Sequence, residues 1–322
     1  MQVELERWVR KTQVIRQVNS DPLCIGLQKS GYFYIMGNLD WIMFELKQRL
    51  PIYKNCVEVC CGRGELIWHT FPPKGFEVLN DKDSDVIRLH KFVQSVTKEQ
   101  IIDFENNFDW TIDEQTYKKL LLQTEIRSDF EFAYRYLYLL GASRRDRTVY
   151  NSTFDKMKQG KKLKCIDRIR KVKHRLKNVV FTCMDAIEVI KKYDTPETFF
   201  FIDPPYPYRK RYYKVHDLDW QHLYDTLKNI KGTWMMVFDP TKPTKNHTDA
   251  NAKVAEKIID QNKHVCLKQK SKMTTMYQSA EVAKDKSDFL VWSYEEPDLL
   301  VRGERAIEEI NRLNMLRFKE VV

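Results

Sequence analysis

The run Phe199-Phe200-Phe201-Ile202, followed at once by Asp203-Pro204-Pro205-Tyr206, constrains the fold of this chain more than any other stretch. The apolar, β-favouring residues read as a strand. The two prolines end it and stiffen the loop beyond, because each fixes φ and lacks an N–H. A carboxylate, a backbone carbonyl and an aromatic ring are thereby held in fixed relation at a strand's carboxyl end, where open α/β sheets bind their ligands. Such a loop suits a flat base bearing an amino group: the ring to stack on, the oxygens to accept its N–H bonds. An acidic Pro-Pro turn also serves as plain punctuation, so its meaning depends on the rest of the chain.

Strands and helices alternate around it. Cys56–Cys60 reads as a short buried strand running into Cys61-Gly62-Arg63-Gly64 and a helical stretch from Glu65. Phe76–Leu79 is a second strand, and the chain from Ser84 is helical, with Val86, Ile87, Leu89 and Phe92 on one face. Asn178–Thr182 precedes Asp185 and a helix to about Lys192. Asp219 caps a helix through Ile230, and Thr233–Phe238, His264–Lys268 and Asp288–Trp292 are further strands. The alternation predicts an α/β fold, a mostly parallel sheet with helices on both faces. Residues 97–177 show helical periodicity, high charge and few strand signals, and Phe130–Leu140 reads as a buried helix. The expected organisation is a discontinuous sheet domain, 1–96 and 178–322, with a helical insert at 97–177. Gly303–Lys319 is an amphipathic helix candidate.

The 322 residues suffice for a full core, and 43% hydrophobic with 12% aromatic residues fits a folded globule. No apolar run approaches the roughly 20 residues of a membrane span. The charged amino terminus and seven scattered cysteines predict a reducing, cytoplasmic setting without a disulfide framework. A net charge of +10 suits an anionic partner, nucleic acid first. Arg144, Arg145 and Arg147 lead into a basic stretch through Lys177, and Arg209, Lys210 and Arg211 come directly after the Pro-Pro loop, with tyrosines including Tyr150 interleaved.

The strand ends assemble a second chemistry. Gly62 and Gly64 let the backbone approach a ligand closely. Asp81, roughly 20 residues on at the next strand end, is placed to accept from ribose hydroxyls. Asp185, at a third strand end, is placed either to bond an adenine amino group or to cap its helix. Together they outline an adenosine-type pocket. Cys56, Cys60, Cys61 and His69 lie along a buried strand and loop, a spacing that does not suit a metal, and no Pro-Cys loop of the cytosine-methylating kind accompanies Cys61.

The order Glu58-Val59-Cys60-Cys61-Gly62-Arg63-Gly64, Asn80-Asp81-Lys82-Asp83-Ser84-Asp85, Asp203-Pro204-Pro205-Tyr206 resembles the Dam-type family of DNA adenine methyltransferases. Lys29–Pro51 resembles the family's amino-terminal motif and helix, Thr148–Gly160 a stretch of its recognition region, and Asp288–Tyr294 its late strand. Two departures stand out. Val59-Cys60 replaces the usual Pro-Phe, and Met36-Gly37-Asn38 the usual Gly-Gly-Lys, leaving Tyr32 or Tyr34 as the substitute contact.

The resemblance implies a Rossmann-like fold dependent on S-adenosylmethionine, with 97–177 as a target-recognition insert. It implies cofactor contacts at Tyr34, Gly37, Glu58, Cys60, Gly62, Gly64, Asp81, Asp185 and Asp203, and base contacts at Asp203, Pro204 and Tyr206. It implies no metal, and nucleic-acid contacts at Arg144, Arg145, Arg147, Tyr150, Asn151, Arg209, Lys210 and Arg211. The expected activity is N6 methylation of adenine flipped out of double-stranded DNA, by a monomer or weak dimer. The expected setting is the nucleoid, or a host cytoplasm for a phage or restriction–modification system. Two alternatives share these residues: the same chemistry on RNA, and an inactive nucleic-acid-binding protein.

Overall fold

The computed structural model describes residues 42–70, 72–144, 153–208, 213–239, 249–262, 264–269 and 287–295. Its frame is a seven-stranded sheet: β1 (Asn55–Glu58), β2 (Glu77–Asn80), β3 (Val179–Thr182), β4 (Thr198–Ile202), β5 (Thr233–Phe238), β6 (His264–Gln269) and β7 (Ser287–Trp292), in the order β3-β2-β1-β4-β5-β7-β6. All pairings are parallel except those of β7, which runs antiparallel to both β5 and β6. This is the predicted α/β architecture, a mostly parallel Rossmann-like sheet with helices on both faces. The strand order reverses between β1 and β4, where Val57 pairs with Phe200, and that reversal opens a crevice at the carboxyl ends.

Alternation along the central strands explains the two covered faces. Val57, Phe200, Ile202, Trp234, Met236 and Phe238 turn to one side. There they meet α7 (Ala186–Tyr193), α8 (Trp220–Leu227) and α9 (Ala250–Gln261). Cys56, Phe199, Phe201, Met235 and Val237 turn to the other, under α1 (Met43–Arg49). Aspartates start several of the helices. Asp83 caps α2 (Ser84–Ser95), Asp185 caps α7, Asp219 caps α8 and Asp249 caps α9.

Residues 97–177 carry α3 (Lys98–Asn106), α4 (Glu114–Leu122), α5 (Asp129–Ala142) and α6 (Cys165–Val172). Their apolar residues do not form a core apart from the sheet. A single cluster runs from Ile67, Trp68 and Leu79 through α2, α3 and α5 to Phe181 on β3.

One expected element is absent. Residues 62–69 are a succession of turns rather than a helix from Glu65. The Leu66 and Ile67 amides are drawn to the Glu58 carboxylate, 3.3 and 2.7 Å away, and His69 closes a turn on the Leu66 carbonyl. Pro72 and Pro73 then leave too little chain for a helix to propagate. The helix capped by Asp219 ends at Leu227 rather than Ile230, as the Asp194 carboxylate takes the amides of Lys231 and Gly232.

Candidate active site

Four loops at the carboxyl ends of β1, β2, β3 and β4 build the site, and their local bonds explain its shape. The Val59 N–H donates to the Phe201 carbonyl at 2.9 Å, holding the β1 loop against the β4 loop. Asn80, 1% exposed, is the hub of the other three. Its amide donates to the Val59 and Met184 carbonyls at 2.9 and 3.0 Å, and its oxygen accepts from the Met184 N–H and the Thr182 hydroxyl. Such a fully bonded buried amide ties the loops at a defined spacing.

The glycine loop divides its work between the two glycines. Both have positive φ, +48° at Gly62 and +76° at Gly64, a region costly for residues with a Cβ. A Cβ on Gly64 would lie 2.9 Å from Ile67 Cγ2, whereas nothing stands within 4 Å of the corresponding position at Gly62. Gly64 therefore serves packing, and Gly62 leaves open space beside its Cα.

Asp81 faces this loop. Its Oδ2 accepts the Gly62 N–H and its Oδ1 the Asp83 N–H, each at 2.8 Å. Burial pushes its carboxyl up to about 6 against the opposing pull of those amides. Glu58 lies beneath the loop, 4% exposed, and burial carries it to about 8 despite its bonds to Ile67 and Leu66. It shapes the loop from below. His90 was not legible in the sequence as a site residue. Fully buried on α2, it bonds the Gly62 carbonyl through Nε2 at 2.8 Å and stacks on Phe181. Burial lowers it to about 4, so it is a neutral imidazole that donates to the loop.

Asp203 comes directly after β4, as Asp81 does after β2, and with Asp185 beyond β3 they act on one thiol. Burial first, then the charges of Asp81, Asp203 and Asp185, hold the Cys60 thiol well above its ordinary value. Asp185 caps α7, accepting from the Ile187 N–H at 2.9 Å, which is one of its two sequence readings, and it also faces this rim. Tyr206 is 8% exposed and packs in the α7–α9 cluster. The cysteines scatter: Cys56 and Cys61 belong to clusters on different parts of the sheet, and Cys60 packs against a third.

The cations predicted for nucleic acid are placed in part. Arg144 is exposed at the end of α5. Arg145, Arg147, Tyr150, Asn151, Arg209, Lys210 and Arg211 lie outside the described residues, as do Tyr34, Gly37 and the helix candidate at 303–319. Several cations of the basic stretch serve the fold instead. Lys158 bonds the Gly141 and Ser143 carbonyls, Lys173 the Val96 carbonyl, Arg170 pairs with Glu105, and Arg175 with Glu77. Among the described residues no helix is long and apolar enough to cross a membrane.

With that geometry in place, a family comparison decides the class. The model of the D12 class N6 adenine-specific DNA methyltransferases matches residues 39–276, well over half of the chain. The chain belongs to this family. A comparison with curated proteins gives no match. The matched span covers the glycine loop, Asp81, the insert, Asp185 and the Asp-Pro-Pro-Tyr loop, so the likeness read from those motifs is borne out. The methyltransferase acts on the N6 amino group of adenine in DNA, and its chemistry requires a methyl donor.

Proposed function

We propose that the methyltransferase uses S-adenosylmethionine as methyl donor, bound at the β1–β4 crevice, and acts on an adenine turned out of the duplex. The observation that carries this reading is the placement of Asp81, Asp185 and Asp203 after the carboxyl ends of β2, β3 and β4, beside the switch point between β1 and β4. S-adenosylmethionine supplies an electrophilic methyl group on a sulfonium. The residues fit it. Each Asp81 oxygen accepts one amide, and a carboxylate oxygen has a second lone pair for a ribose hydroxyl. Beside it, Gly62 leaves free space at its Cα, where a side chain would intrude. Asp185 is the acceptor for the adenosyl amino group. Glu58 acts by holding the loop, Cys60 and Gly64 line and shape it, and Tyr34 and Gly37 are the contacts expected from the amino-terminal motif.

An aromatic amino group is a poor nucleophile because its lone pair is delocalised into the ring. The Asp203 carboxylate and Pro204 carbonyl accept its two N–H bonds, which localises the pair and fixes the nitrogen for in-line approach. Tyr206 is the stacking ring, which requires it to turn out of its cluster or the base to reach its uncovered edge. A base must leave the stack to enter such a site. Arg144, Arg145, Arg147, Tyr150, Asn151, Arg209, Lys210 and Arg211 are the proposed contacts to phosphates and base edges.

The test is transfer of labelled methyl from S-adenosylmethionine to adenine-containing duplex DNA, single-stranded DNA and RNA of one sequence. The expected result is N6-methyladenine in DNA, with the duplex preferred. Label on RNA alone, or on none of the three, overturns the reading.

Asp81 adds a pH signature. Its raised carboxyl is ionised above about pH 6 and protonated below it. An ionised acceptor serves ribose hydroxyls best, so affinity for S-adenosylmethionine is expected to be full above pH 6 and to fall by up to about tenfold per unit below it. Isothermal titration from pH 5 to 8 reads this directly. Asp81→Asn is expected to bind weakly and without that acid limb, and a wild-type profile flat to pH 5 would contradict the assignment.

A further inference from the structure

We propose that residues 213–217 form an ionic clasp over the methyl-donor site, pinned by Lys82 and Lys214, and that Lys82 is a positioning residue for Asp185. The proposal rests on the S-adenosylmethionine site described above. The segment lies downstream of the Asp-Pro-Pro-Tyr loop and reaches three strand ends. At β4, the Tyr206 N–H donates to the Tyr213 hydroxyl at 3.4 Å. At β2, Lys214 Nζ lies 2.7 Å from Asp85 Oδ2 and 3.6 Å from Asp83 Oδ1. At β3, the contact is made through a shared cation. Lys82 Nζ is 2.8 Å from Asp217 Oδ2 and 3.1 Å from Asp185 Oδ2.

The arrangement has a physical rationale. Asp81, Asp83, Asp85, Asp185 and Asp203 crowd one rim, and a further carboxylate at Asp217 would be repelled from it. Two ammonium groups reverse that sign. Lys82 does a second job: its bond to Asp185 Oδ2, with the Ile187 N–H on Oδ1, fixes the plane of a carboxylate assigned to the methyl donor's amino group. The lysine side chains keep 41% and 37% of their exposure, so each pair is weak and screened by salt. Weak pins suit a strap that opens to admit a ligand and closes again. The Tyr213 contact makes closure felt at the target-base loop.

The test measures S-adenosylmethionine binding at low and high potassium chloride for wild type, Lys82→Met, Lys214→Met and Asp217→Asn. Backbone amide exchange across 213–217 is followed with and without the methyl donor. For single exposed pairs the expected loss of affinity is at most about fivefold. It should appear in KM more than in kcat, be recovered by Lys82→Arg, and shrink at high salt as wild type converges on the variants. Exchange at 213–217 should slow when the methyl donor binds wild type, and less so in the variants. Wild-type affinity in all three variants, with exchange unmoved by the methyl donor, overturns the clasp. Failure of wild type itself to bind S-adenosylmethionine overturns the methyl-donor site instead, and the clasp with it. Unfolding midpoints close to wild type exclude a folding defect.

Discussion

Asp203→Ala is expected to lower kcat for methyl transfer by about 10³-fold while S-adenosylmethionine binding stays measurable. In the proposed mechanism the carboxylate acts on the amino group as it becomes a nucleophile, and removing one preorganised polar partner of developing charge typically costs about 10²–10³ in rate. The upper end applies here because a carboxylate is a stronger hydrogen-bond acceptor than a neutral group and sits between a buried strand end and two prolines. Ile202 before it is fully buried and paired with Met236, and Pro204 and Pro205 after it fix the backbone. Asp203→Asn should fall between, since an amide oxygen accepts an N–H bond without the charge. Single-turnover transfer together with equilibrium binding separates the two effects. Near wild-type kcat in Asp203→Ala would remove Asp203 from the chemistry.

The largest effect on stability is expected at Arg175. Its guanidinium forms a two-bond pair with Glu77, at 2.6 and 2.7 Å, with side chains only 5% and 9% exposed. Arg175→Ala strands a carboxylate at the start of β2, and breaking a buried pair in this way costs about 3–5 kcal/mol. That is a large share of the roughly 5–15 kcal/mol that stabilises a folded domain. The pair joins the end of the insert to the sheet, so its loss should loosen both. Replacing both partners, Arg175→Met with Glu77→Leu, should restore most of the stability, because an apolar pair carries no desolvation cost. Denaturant midpoints for the two variants decide it: a double variant as unstable as the single one would show that the arginine's packing, not its charge, matters.

The sheet was largely legible in the chain. Apolar runs that stop at acids, glycines or prolines mark strands, and Phe199–Ile202 and Thr233–Phe238 appear close to where those signals put them. Two helix caps were legible as well, since an acid ahead of a periodic apolar stretch suits an N-cap and Asp185 and Asp219 supply one. The helix expected from Glu65 is absent because Pro72 and Pro73 close the segment after too few residues for a helix to propagate, and a succession of turns stands in its place. Likewise, the basic stretch of the insert read as one surface patch, but Lys158, Arg170, Lys173 and Arg175 are engaged within the fold. Charge counts along a sequence cannot distinguish a solvated cation from one that satisfies a carbonyl or a carboxylate.

The sequence by itself determined the Asp-Pro-Pro-Tyr loop, the glycine loop and the acids at three strand ends, because backbone stiffness, φ freedom and capping are properties of adjacent residues. The tertiary structure decided which groups meet. Asn80 bonds Met184 across 104 residues, His90 reaches the Gly62 carbonyl 28 residues back, and Lys82 joins Asp217 across 135. Those contacts exist only because the parallel sheet carries all these strand ends to the same edge. Partners so far apart in the chain leave no local pattern to read.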